Sequence, residues 1–301
     1  MRIKEKKPEK LLATTFYSKQ KQKCPVCKTE FEKEELLSGG GRLIAGPLTD
    51  ELRRTYEPSA KYGKIYPQIY AIAACPKCHC AMLWSDLNFL DNKETINNLL
   101  NDEEKRKKSV AEVFPHYNFS RNRTLLDGAA AYYHALLCYE KFPTNMSPTI
   151  KKAQICLRLA WLCNDINTES PHRGYDYIAQ VFYRKAMFFY QESLILEMKH
   201  IETLSALTNL GPDTDKNYGY DGLIYLCGLL EYKYGQHEDK NLRFKKLDEY
   251  KRAIARSFGL GKTSKNKPGP LLEHSRELYD NINNEIKDAH NIDIDIDLSD
   301  D

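Results

Sequence analysis

No run of 18 or more apolar residues occurs in the 301-residue chain, so no membrane-spanning helix is expected. The N-terminal stretch MRIKEKKPEKLLATTFY is basic but has no apolar segment long enough for a secretory signal, which makes the cytoplasm the expected compartment. In that compartment the two Asn-x-Ser/Thr sequons, at Asn118 and Asn122, carry no meaning. Tryptophan is scarce, with 2 residues against 11 Phe and 20 Tyr. Tyrosine packs its ring and keeps a polar tip wet, which suits thin helical layers and interaction faces better than a thick core. Charge is not of one sign: 45 Lys and Arg stand against 42 Asp and Glu, for a net of +3. A disulfide framework is also excluded. The nine cysteines are odd in number, and five of them fall within residues 24–80, so they read as thiols and metal ligands.

What is present begins with Cys24-Pro25-Val26-Cys27 and Cys75-Pro76-Lys77-Cys78. A Cys-x-x-Cys turn presents two sulfurs to one ion, and its backbone amides help to hold the thiolates. Two such turns close a tetrahedral site with Cys24, Cys27, Cys75 and Cys78 as ligands and no open position. Zn2+ in a structural role is the expected ion. The competing reading, a redox motif, requires a single pair at a helix start. His79 and Cys80 extend the second knuckle, but three consecutive residues rarely reach one ion, so they read as neighbours of the site.

Around the knuckles the chain reads as a small β module. Residues 1–23 are a basic arm of net +6 leading into a strand near Leu11–Tyr17, and residues 24–90, of net zero charge, are the zinc-ribbon-like module. Ser38-Gly39-Gly40-Gly41, followed by the strand-like Arg42-Leu43-Ile44, reads as a hairpin turn and not as a phosphate-cradling loop. Residues Thr49–Arg54 read as a short helix or loop, Tyr66–Cys75 as a strand delivering the second knuckle, and Ala81–Trp84 as its return. Residues 91–114 read as a solvated charged helix or linker, because acids precede bases in the order that supports a helix.

Helical periodicity dominates residues 115–258, with helices expected at Leu125–Phe142, from Pro148 onward, Gly174–His200, Asp221–Tyr234 and Lys240–Phe258. A linker at 259–270, a helix at 271–290 and an acidic tail at 291–301 complete the chain. Gly228, Gly235 and Phe244 match positions of a tetratricopeptide frame, although Lys240 stands where that frame has alanine. The expected fold is therefore α+β, mostly α, with a zinc-ribbon-like module followed by a tetratricopeptide-like helical array. Its working surface would be concave and rich in Tyr183, Tyr190, Tyr225 and Tyr232.

Other chemistry finds little support. Gly259-Leu260-Gly261-Lys262-Thr263 has Arg256 where a P-loop needs its first glycine and follows a helix. His134 with Cys138, and Cys156 with Cys163, read as packing residues without an orienting third group. Asp50, Glu51, Asp86 and Asp127 form no evident carboxylate pair. No catalytic residue is identified.

Together, the two knuckles, Asp50-Glu51-Leu52, Tyr66-Pro67-Gln68-Ile69-Tyr70 and Leu157-Arg158-Leu159-Ala160-Trp161-Leu162 resemble the bacterial DUF2225 family over most of residues 20–255. The resemblance implies a paired-knuckle N-terminus, a tetratricopeptide-like C-terminal region and a bacterial cytoplasmic setting, but no reaction. The chain departs from the family at His79-Cys80, where Gly and an aromatic are usual. The expected function is a non-enzymatic adaptor for a protein or peptide partner. A nucleic-acid-binding zinc ribbon using the basic arm is the alternative.

Overall fold

The computed structural model of the chain describes residues 11–37, 39–257 and 269–297. Its strands form three separate antiparallel pairs. β1 (Thr15–Lys23) pairs with β2 (Glu30–Leu36), and the first knuckle is the turn between them, flanked by Lys23 opposite Glu30. β5 (Ile72–Ala74) pairs with β6 (Ala81–Leu83), and the second knuckle is the turn there, flanked by Ala74 opposite Ala81. Between them β3 (Ile44–Leu48) and β4 (Arg54–Glu57) form a third hairpin.

Among the described residues eight α-helices follow: α1 (Lys93–Asn101), α2 (Glu103–Val113), α3 (Leu125–Tyr139), α4 (Pro148–Glu169), α5 (Tyr175–Met198), α6 (Gly219–Tyr234), α7 (Lys240–Ser257) and α8 (Gly269–Asp297). Local signals set their ends. Asn92 accepts from the Thr95 amide at 2.8 Å, and Thr124 with Asp127 forms a reciprocal cap on α3. Pro148 opens α4, where a missing N–H costs nothing.

α3 is the central element. It carries alanines and apolar residues all round, and twelve of its fifteen residues are buried. One side lies on β5 and β6, the other on α4, and from α4 to α8 each helix packs on the next. Gly128 allows the closest approach: a Cβ there would stand 2.4 Å from Cβ of Ile69. Further ties run across the same boundary. The Tyr132 hydroxyl donates to the Gln68 carbonyl at 3.0 Å, and the Arg123 guanidinium donates to the carbonyls of Ile69 and Ile72 at 2.8 and 2.7 Å. The apolar core runs unbroken from Cys24 to Ile282.

Several expectations change. Only Ile72–Ala74 of the Tyr66–Cys75 run is strand, because Pro67, which has no amide hydrogen and a fixed φ, opens a 3-10 turn over Pro67–Tyr70. Gly39–Gly41 link two different sheets and do not close a hairpin, while Thr49–Arg53 is the tight turn of the β3–β4 hairpin. The first strand begins at Thr15, not Leu11. Residues 91–114 are largely the charged helices α1 and α2 with many residues exposed, but one face is covered, where Arg106, Val110 and Phe114 are fully buried. The last helix extends through Asp297, into the stretch read as an acidic tail. Residues 1–10 of the basic arm, most of the 259–270 linker with its Gly-Lys-Thr motif, and the final acidic residues lie outside the described residues.

Candidate metal centre

The two knuckles are built alike. In the first, the Lys28 amide donates to the Cys24 carbonyl at 3.1 Å and the Cys24 amide to the Thr29 carbonyl at 2.9 Å. In the second, His79 donates to Cys75 at 3.0 Å and Cys75 to Cys80 at 2.9 Å. Both loops place the residue after their second cysteine in the left-handed region, Lys28 at φ 62° and His79 at φ 51°. A family glycine at the second position would adopt that φ without steric cost. The departure at His79 therefore leaves the knuckle's turn intact.

The loops bring Cys24, Cys27, Cys75 and Cys78 together, with all four sulfurs within 4.8 Å of one another. Cys24 Sγ lies 3.6 Å from Cys78 Sγ, and Cys27 Sγ lies 3.5 Å from Cys75 Sγ. A metal–sulfur bond of ~2.3 Å in a tetrahedron requires sulfur–sulfur edges of ~3.8 Å, so the four residues fit one tetrahedral ion. Cys24, Cys75 and Cys78 also perturb one another strongly. Hydrogen bonds from Cys75, Cys78 and Cys80 pull the Cys24 thiol far below the usual range. Cys75 is pushed up to about 12, first through its hydrogen bond with Cys24, and Cys78 is raised further by Cys24 and Cys75. One negative charge is accommodated and further ones are opposed, a balance that a divalent cation reverses.

α2 and α3 supply what surrounds the second knuckle. Arg106 on α2 is fully buried and donates to the carbonyls of Cys78 and Leu99, both at 3.1 Å. It thus fixes a ligand's backbone and places a positive charge beside the thiolates. Cys80 lies outside the cluster of four and is buried, and Cys138 of α3 and Cys24 push its thiol well above the usual range. His79 Nδ1 and His134 Nε2 stand 2.9 and 2.8 Å from the Tyr117 hydroxyl, which bridges them. Burial drives His79 down to about 4 and His134 well below its ordinary value, so both rings are neutral.

The remaining candidates are placed by their partners. Asp86 accepts from Lys151 at 2.7 Å and Tyr139 at 2.5 Å, and Asp127 serves the α3 cap. Cys138, Cys156 and Cys163 are fully buried. Tyr183, Tyr190 and Tyr225 do not form an open surface, being 4%, 0% and 1% exposed. The hydroxyls of Tyr183 and Tyr225 reach the β3–β4 turn, donating to the Glu51 carboxylate at 3.1 Å and the Asp50 carbonyl at 2.7 Å.

Sequence reasoning missed Arg106 and the Glu51 contacts. The first had a signal: Arg106, Val110 and Phe114 recur at helical spacing inside the mixed-charge run. The second joins residues more than 100 positions apart, and no local pattern announces it.

Two knuckle hairpins that gather four thiols around one ion-sized centre, set against a helical array, define a tetracysteine α+β protein. The chain belongs to the DUF2225 family, described as "Uncharacterized protein conserved in bacteria", whose profile matches residues 17–282. It is 42% identical over 275 residues to an uncharacterized protein of Borreliella burgdorferi (strain ATCC 35210 / DSM 4680 / CIP 102532 / B31), covering 91% of this chain and 98% of that relative. No solved structure matches the chain. The family expected from the knuckles and the Tyr-Pro-Gln-Ile-Tyr segment is thus the family found.

Proposed function

We infer that the chain is a non-enzymatic cytoplasmic adaptor, stapled by Zn2+ and using a tetratricopeptide-like helical surface to hold a protein or peptide partner. Four thiolates with tetrahedral spacing favour Zn2+ over the harder divalent ions, and a closed ligand set gives it a structural role. Such an ion contributes on the order of 10–16 kcal/mol to folding.

The observation that carries the adaptor reading is a row on α5. Tyr177, Phe188, Ile195 and Met198 are 73%, 57%, 37% and 70% exposed and fall on one helical face. Large apolar side chains gathered on one exposed face, here interspersed with Arg184 and Gln191, favour an interaction surface. The charge pattern favours a protein over a nucleic acid, because Lys21 and Lys23 of β1 stand opposite Glu32 and Glu30 in the ladder.

The test is capture from bacterial cytosol on the zinc-loaded full chain, compared with Tyr177→Asp/Phe188→Asp. Wild type should retain a defined set of proteins that the double variant loses, both remaining folded by circular dichroism with equal metal content. Identical sets, or nothing above bare resin, would overturn the reading.

A further inference from the structure

The Asp50-Glu51-Leu52 turn does not serve the metal centre, and yet its Glu51 and Leu52 are buried. It projects from the β3–β4 hairpin into the helices, where Glu51 is 7% and Leu52 0% exposed. Two backbone bonds shape it: Leu52 N–H to Thr49 O and Thr49 N–H to Arg53 O, both 2.9 Å. One carboxylate then meets four donors from three helices. Glu51 Oε2 accepts from the Trp161 indole of α4 and from the Tyr183 hydroxyl of α5 at 3.1 Å. Glu51 Oε1 accepts from Lys233 and Tyr234 of α6 at 3.2 and 3.3 Å. Lys233 also reaches Asp50 Oδ2 at 2.7 Å, and the Tyr183 and Tyr234 rings stack at 4.4 Å.

These groups are complementary in charge and hydrogen bonding to an acidic turn. An ammonium, an indole N–H and two phenols mounted on rigid helices form charge-assisted bonds at fixed positions, with apolar space for the following leucine. The hairpin that fills it is not part of a larger sheet. Among the described residues, β3 and β4 pair only with each other, and Ile44 is 43% exposed. Three successive glycines precede the hairpin, with φ of 80°, 62° and 73°. Beside the turn, Leu48 packs on the core and Arg53 lies over the Trp161 ring, and the polar ties run from Arg53 to Gln68 and Asp165 and from Arg54 to Asp213 and Asp215.

We propose that the Trp161–Tyr183–Lys233–Tyr234 cradle is a gated docking site, occupied by the chain's own Asp50-Glu51-Leu52 turn until a partner protein presenting an acidic turn of the same kind displaces it. The inference extends the adaptor reading to a second surface and rests on it only in taking the helices as a docking scaffold. A tethered occupant competes at an effective concentration of roughly millimolar, so the free site is masked in the resting chain. Emptying it removes that competition, and the apparent dissociation constant falls by the fraction of chains that were closed.

The experiment uses the zinc-loaded full chain and a fluorescent peptide of residues 48–54, cyclised through its ends to hold the turn. Asp50→Ala/Glu51→Ala should bind it at least about tenfold more tightly than wild type. Adding Lys233→Met should abolish that gain, as should Gln in place of the peptide's glutamate. A folded, metal-replete double variant that does not bind the peptide would overturn the proposal. If that variant does not fold, amide exchange of the wild type decides. The 44–57 hairpin should open independently of α4–α6, and exchange only through global unfolding would mark the turn as a fixed plug. Peptide binding with no cytosolic partner captured would sink the adaptor reading and leave the cradle standing. Capture lost with the α5 substitutions but without peptide binding would do the reverse.

Discussion

The two knuckles share one backbone design and sit in opposite surroundings. The second grows from β5 and β6, whose six residues are buried or nearly so, and Arg106 and Cys138 press on it from α2 and α3. The first grows from β1 and β2, where most of β1 is exposed and the turn residue Lys28 lies at the surface. One knuckle is largely enclosed by the core, while the other meets it along one edge, through its sulfurs, the buried Val26, Phe31 beside Trp84, and Glu34, which accepts from the Arg123 amide at 2.9 Å. A metal held by the four thiolates would therefore fasten the more exposed hairpin to one that packing encloses.

Removing the ion is the harshest way to test that asymmetry. Cys24→Ser should abolish stoichiometric zinc binding, forfeiting a contribution on the order of 10 kcal/mol. Metal analysis and denaturant titration would show it, and the loss of order should centre on β1–β2. Next in size is Arg106→Met, which leaves the Cys78 and Leu99 carbonyls buried without this donor. Destabilisation of about 2–4 kcal/mol and faster zinc release to a chelator are expected. Unchanged release kinetics would separate α2 from the metal site. Gly128→Ala should cost about 1–3 kcal/mol by forcing α3 away from Ile69, measured by urea unfolding.

Smaller effects sharpen the comparison. His134 is held below its ordinary value, so the folded state binds fewer protons than the unfolded chain as pH falls below ~6.5. Its contribution is fully present above that pH and is lost on acidification, at up to about 1.4 kcal/mol per pH unit. Urea midpoints at pH 7, 6 and 5 should fall less steeply in His134→Gln than in wild type. Finally, Lys28→Gly relieves a left-handed residue on the open knuckle and should stabilise by up to about 1 kcal/mol. His79→Gly relieves the same backbone but loses the bond to Tyr117, so it should not.

The metal site and the helices were readable from sequence for a physical reason. Cys-Pro-x-Cys encodes its turn within a few residues, and Pro148 and Gly235 mark helix ends locally. The tyrosines were not readable in this way. Tyr183 and Tyr225 carry the same side chain as an exposed interface tyrosine, and only the distant Asp50-Glu51 turn, which satisfies their hydroxyls, puts them inside. The same holds for Arg106, whose charge reads as solvated until the Cys78 carbonyl is placed beside it. Tyr66–Cys75 misled for another reason: its apolar pattern suits a strand, and Pro67 overrides the pattern.

Hydrogen exchange followed by mass spectrometry, before and after zinc is stripped with a chelator, tests the central asymmetry most directly. Residues 15–36 should lose protection while 72–83 and α3 keep most of theirs, and one equivalent of zinc should restore the first hairpin. Equal loss in both hairpins, or no loss in either, would contradict it.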